Sequence, residues 1–300
     1  MNEYIDKLNM YLPIDFADEE NNAYRQYLIE SFHENCEKGK HQFALMAFHM
    51  LFMSFLYKEF WELKQFSFSK VQGLCKSDAK FNGINNIFEA SIIPEKTMID
   101  QYLSIHSWHV NKKNAVKEFV DKRDNCAHAS GFIQYDASES ERIYLDVLDQ
   151  AQKISQANKQ NVVDIIQKKL IDFIKNEDEF NAKTSGEFIS DLIREVKISP
   201  RDISYVLSAD TPQIVTDDTS GIFVVAYFFA MLQLHSGYLQ NSVENTLNIP
   251  DEYFADRLYL YLDTLDADRK LALQVQVEDE MEYLNACGTL ISVGKLSDIW

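Results

Sequence analysis

The chain has 300 residues, 46% of them hydrophobic and 13% aromatic, enough to bury a sizeable core in one large domain or two modest ones. A net charge of −18 at pH 7 disfavours a protein that coats nucleic acid through a general basic surface. Only nine Gly and five Pro occur, so turn formers are scarce and the composition points to an all-α fold of long helices.

Residues 1–16 read as an irregular or short helical entry, and Asp18 to Cys36 as a first full helix, with Ala23, Tyr27, Ile29 and Phe32 at mostly helical spacing and Gly39 ending it. The next helix, from about Lys40 to Phe66, is apolar on nearly every side through Phe43-Ala44-Leu45-Met46-Ala47-Phe48. A helix that is hydrophobic all round is a central one. Its charge-free run, His41 to Tyr57, is shorter than the roughly 20 residues that cross a bilayer, contains two His and meets Lys58-Glu59 at once, so no membrane partner is expected. From Ser67 to Lys96 the glycines 73 and 83, the asparagines 82, 85 and 86 and Pro94 break up the apolar groups, which predicts short helices and loops in a mobile, irregular insertion reaching about residues 67–112.

Ala115 to Ala129 is helical again, its apolar positions Val116, Phe119, Val120 and Ala127 on one side and Gly131 as a stop. Ser138-Glu139-Ser140-Glu141 has the spacing of a capping box and opens a long helix running on towards Asn176 and joining two halves. Thr184-Ser185-Gly186-Glu187 repeats that signal, and Ser199-Pro200 sets a cap before a Pro at the first helical position. Further helices are expected over Ile222 to His235, Asp251 to Leu262 and Asp266 to Cys287, the last stopped by Gly288. The period-two alternation of Leu271 to Val277 is outweighed by its helical surroundings. Two domains follow: residues 1–175, and an acidic helical accessory domain over 176–300.

Four Cys lie far apart without a CxxC pair, and no basic region followed by an apolar core opens the sequence, so a cytoplasmic location is expected. The charge is unevenly spread. Residues 1–69 hold six basic and eleven acidic side chains, residues 70–123 nine and six, and residues 124–300 fourteen and thirty. The one positive segment leads directly into Arg123-Asp124-Asn125-Cys126-Ala127-His128.

Those residue types suit RNA cleavage. A His with an ordinary pKa near 6.5 takes a proton from a ribose 2'-hydroxyl, or gives one to the leaving 5'-oxygen, at cellular pH. An always-charged Arg holds the scissile phosphate and stabilises the extra negative charge of the transition state. Asp124 and His128 are four apart and share a helix face, so the carboxylate can orient the imidazole. Arg123 and His128 are five apart, roughly 140° around an ideal helix. A single straight helix therefore grips one phosphate poorly, and either the helix end distorts or two copies meet in a symmetric dimer.

The hexapeptide Arg123 to His128 resembles the Arg, polar residue, then His signature of HEPN domains, the helical nuclease modules of prokaryotic defence and toxin systems. The resemblance covers roughly residues 20–175 and implies a HEPN-like bundle there, with residues 176–300 as an additional C-terminal helical domain outside it. It further implies Arg123 and His128 as the catalytic pair with Asp124 in support, a homodimer, an RNA substrate, and a toxic effector of antiphage or toxin–antitoxin type with a possible antitoxin or sensor partner protein. Lys122, His109 and Asn125 are the candidate substrate contacts. No cofactor and no metal ligand set is expected, since His106-Ser107-Trp108-His109 and His33-Glu34-Asn35-Cys36 lack companion ligands, and His41, His49 and His235 read as structural. Gly-rich phosphate loops, a serine-nucleophile elbow and a dinucleotide fingerprint are absent from the sequence. The rival expectation is a non-catalytic helical partner whose acidic residues 124–300 mimic nucleic acid or dock a basic protein.

Overall fold

The computed structural model describes residues 2–127, 135–176 and 182–209, and among them every regular element is helical. The order is α1 (Asn2–Asn9), α2 (Glu19–Glu37), α3 (His41–Phe66), α4 (Phe68–Ser77), α5 (Ala79–Asn82), a 3-10 turn (Phe88–Ile92), α6 (Glu95–Ile105), α7 (Val110–Ala127), α8 (Ala137–Asn176), α9 (Ala182–Val196) and α10 (Pro200–Leu207). Two compact units are distinguished, residues 1–161 with 197–199 and residues 162–196 with 200–300. The expected helices over 222–287, their stop at Gly288 and the alternating segment 271–277 lie outside the described residues.

The first unit is built around α3. Its sequence offers no polar face, so the helix has nowhere to lie but inside, and α1, α2, α4, α6, α7 and the 3-10 turn all pack on it. By length and composition α3 could cross a bilayer, but 83% of its most apolar stretch is buried inside the protein. Aromatic rings lock the neighbours to it: Phe48 lies 4.6 Å from Tyr144, Phe52 meets Phe119 edge-on at 5.8 Å, and Phe60 meets Phe81 at 5.3 Å.

Near its C-terminal end the all-apolar reading gives way to a buried ionic cluster. Lys58 is fully buried and pairs with Glu59 at 3.2 Å and Glu62 at 2.9 Å. Asn158 of α8 donates to both carboxylates, at 3.0 and 3.1 Å, and Tyr102 of α6 donates to Glu59 at 3.0 Å. Buried charges persist only when so paired, and here three helices supply the partners.

Local chemistry explains the helix ends. Asp18 caps α2 by accepting from Glu20 and Asn21, and Gly39, at φ +66°, takes the left-handed turn after it while its N–H bonds Cys36. The segment expected to be broken by Gly and Asn does hold short helices: α4, α5 and the 3-10 turn. The long helix starts as expected near residue 138 and reaches Asn176, but its cap is displaced by two residues: Asp136 accepts from the Glu139 N–H at 2.9 Å and Glu139 from the Asp136 N–H at 3.3 Å. An acidic side chain at the cap replaces the serine expected there. Thr184 to Glu187 lie in the first turns of α9, which starts at Ala182, two residues before the expected cap. The Ser199-Pro200 pair does open α10. In the second unit, Phe173 and Phe188 stack at 4.1 Å and Lys169 pairs with Glu195 at 2.6 Å, joining α8 to α9.

Candidate functional site

The orientation of α7 follows from its apolar positions. Val116, Phe119, Val120 and Cys126 are buried, with Phe119 seated on Phe52 of α3. That anchoring turns Lys122, Arg123 and Asp124 to the half-buried rim of the last turn and leaves Asn125 exposed.

Arg123 is held, not free. One guanidinium nitrogen bonds Glu95, at the start of α6, and the other lies 3.1 Å from Asp124, with 28% of the side chain exposed. Its Nε is buried without a hydrogen-bond partner. Glu95 in turn lies 3.0 Å from Nε2 of His49, a buried residue of α3. Burial pushes the Glu95 carboxyl up, but His49 and Arg123 pull it down and prevail, so it stays below the usual carboxylate range. Tyr57, one side of α3 further on, is pushed up to about 12 by burial and then by the charge of Glu95. The result is a chain, His49–Glu95–Arg123–Asp124, that runs from the core to the rim.

The remaining expected contacts are spread out. Lys122 sits 5.4 Å over the Phe119 ring, beside Arg123 in sequence. His109 does not join them. It immediately precedes α7, its carbonyl accepting from Lys112 and Lys113, and fourteen residues of helix put it about 21 Å from Arg123. The helix runs on from Val110, where a start at Ala115 was expected, and this sets the separation. Asp124, expected to orient His128, has its carboxylate against Arg123. His128 itself, and Gly131, lie outside the described residues.

Several lysines of residues 70–123 pair with nearby carboxylates. Lys113 and Lys117 both pair with Asp100, at 3.5 and 2.6 Å, and Lys96 pairs with Asp121. Lys112 points elsewhere, 6.0 Å over the Trp108 ring. Among the described residues no cluster of three or more His, Cys, Asp or Glu is arranged to hold a metal ion.

No family model, curated protein or solved structure matches the chain. The site therefore stands on its own residues. Sequence reasoning passed over Glu95 and Tyr57 and read His49 as structural. Glu95 stands 28 positions before Arg123 and carries no motif; a first-turn acid after Pro94 reads as an ordinary helix start. His49 reads as one more polar interruption in an apolar helix, and only the fold brings it to Glu95.

Proposed function

We propose that the chain is a metal-independent endoribonuclease of the HEPN type. Arg123 binds the scissile phosphate and neutralises the charge of the pentacovalent transition state. His128 takes the proton of the 2'-hydroxyl, whose oxygen attacks phosphorus; the P–O5' bond breaks and a second His128, from a symmetric partner, protonates the leaving oxygen. The products are a 2',3'-cyclic phosphate and a 5'-hydroxyl. A toxic role in antiphage defence or a toxin–antitoxin system follows from the same resemblance.

The observation that carries this proposal is the pre-positioned guanidinium. Arg123 is fixed from the core side through Glu95 and His49 yet keeps 28% of its side chain exposed, five positions before His128. A positioned cation at a rim is what electrostatic catalysis requires, because no reorganisation is needed when charge develops.

One observation favours a second reading. Both ends of the guanidinium already meet carboxylates, as in a structural ion pair, and a non-catalytic helical partner protein would keep Arg123 for that reason. The two readings separate in one assay: RNA incubated with purified protein in EDTA, with end groups analysed, for the wild type, Arg123→Ala and His128→Ala. Cyclic-phosphate ends from the wild type alone support the nuclease. Intact RNA in all three, with equal effects on cell growth, supports the partner protein.

A further inference from the structure

A second surface feature owes nothing to Arg123. Between the residue before α7 and the middle of α8, both within the first unit, lies an open groove of about 670 Å³. That size suits a small ligand, since ligand pockets typically hold roughly 300–1,000 Å³. Its walls are Trp108 and Lys112 on one side and Asp149, Gln152, Lys153 and Gln156 on the other. The α8 residues recur at three- and four-residue spacing, so one stripe of that helix faces the groove.

The wall chemistry is selective. Trp108 is half-buried against the core, so its ring is fixed, and Lys112 lies over that ring at 6.0 Å. Lys112 is exposed at the helix start and free to swing away from the ring. Gln152 and Gln156 are exposed amides, each offering donors and an acceptor, the combination that base edges require. The one carboxylate, Asp149, is paired with Lys153, so two lysines and one aspartate leave the groove with a positive balance in a chain of net charge −18. An apolar ligand would make no use of the two amides and the ammonium groups, and a bare anion would make no use of the indole.

We infer that this groove is a nucleotide-binding site: a base stacks on Trp108, its edge meets Gln152 or Gln156, and Lys112 with Lys153 takes the phosphate. Stacking on an aromatic platform flanked by cations is the physical mode by which unpaired nucleotides are held. The site is separate from the Arg123 rim, since Lys112 and Arg123 are eleven residues apart, about 16 Å along α7.

The test is a binding titration of the full chain with two probes, AMP and a short labelled oligoadenylate carrying 2'-O-methyl groups. Neither probe needs cleaving and the oligonucleotide has no 2'-hydroxyl to react, so the readout is independent of the nuclease proposal. Binding by the wild type is expected, weakened about five- to hundredfold by Trp108→Ala and largely restored by Trp108→Phe. Lys112→Glu, a change at an exposed position, is expected to weaken binding and lower its salt dependence by about one contact. Binding of both probes identifies a free nucleotide as sufficient ligand; binding of the oligonucleotide alone identifies a strand. Failure of the wild type to bind either probe, or affinities unmoved by both Trp108→Ala and Lys112→Glu, overturns the inference. RNA cleavage without binding here would overturn it while leaving the nuclease proposal standing.

Discussion

Replacing Lys58 by Met tests the buried cluster on which the first unit is built. The ammonium is fully buried and lies between Glu59 and Glu62 at 3.2 and 2.9 Å, and Asn158, Asn161 and Tyr102 also donate to these carboxylates. Methionine fills nearly the same volume, so packing changes little and the loss is electrostatic. Two carboxylates in a dry interior then lose their cation. Removing one partner of such a pair is worth about 3–5 kcal/mol. For a unit of this size, at about 2–4 °C per kcal/mol, the melting temperature should fall by about 6–20 °C. The triple change Lys58→Met, Glu59→Gln, Glu62→Leu removes the unpaired charge as well and should recover most of that loss, because a buried ion set is often no more stable than a packed apolar one. Thermal melting followed by circular dichroism reads all three. A Lys58→Met protein melting within about 2 °C of the wild type would falsify the claim that these charges are desolvated and mutually dependent.

Three further outcomes concern pH and thiol chemistry. His106 is pulled from its ordinary 6.5 to about 4, first by burial and then by the charge of Lys70. A depressed folded-state pKa gives stability that is present above pH 6.5 and lost as pH falls to about 4, here about 3 kcal/mol, and denaturant titrations of wild type and His106→Phe should differ in slope across that window alone. Tyr57, pushed up to about 12 by burial and by Glu95, has the opposite sign: its contribution is complete below pH 10 and about 3 kcal/mol is lost as pH rises towards 12, a loss that Tyr57→Phe should abolish in the same titrations. Burial pushes the Cys126 thiol up to about 11, so an alkylating reagent at pH 8 should label it only in denaturant, and fast labelling of the native protein would show that α7 opens at its last turn.

The sequence made the helices legible because their signals are local. The apolar run of α3, the Gly39 stop, the Ser199-Pro200 start and the long polar-faced helix ending at Asn176 need only neighbours in the chain to be read. The caps failed where two local signals competed. Asp136 and Ser138 are both good caps, and the acid nearer the true start won, while α9 starts at Ala182, two residues before the Thr184 signal. The buried cluster was illegible for a different reason. Lys58-Glu59 reads as the end of an apolar helix until Asn158, 99 positions after Glu59, arrives to satisfy the carboxylates. The candidate site divides the same way: Arg123, Asp124 and Lys122 were visible as a motif, but Glu95 and His49 reach Arg123 only through the packing of α6 and α7 on α3.

The two carboxylates on Arg123 differ in a way that decides how a phosphate would enter. Glu95 is the less exposed, 23% against 40%, and is anchored to the buried His49; Asp124 neighbours Arg123 on the same helix and faces solvent. Exposed pairs are worth only about 0–1 kcal/mol, so a phosphate seeking one edge of the guanidinium displaces Asp124 and leaves Glu95 in place. On the nuclease proposal, Asp124→Asn then removes a competitor: KM for RNA should fall a few-fold with kcat little changed. Glu95→Gln instead loosens the guanidinium on its core side, and because a displacement of about 1 Å can cost on the order of a hundredfold, kcat should fall about ten- to hundredfold. Steady-state kinetics on both variants distinguishes this from the arrangement that the four-residue spacing to His128 suggests, in which Asp124 serves the imidazole. In that case Asp124→Asn would lower kcat as Glu95→Gln does and shift the pH profile, and Asp124 would have to release Arg123 before the reaction begins.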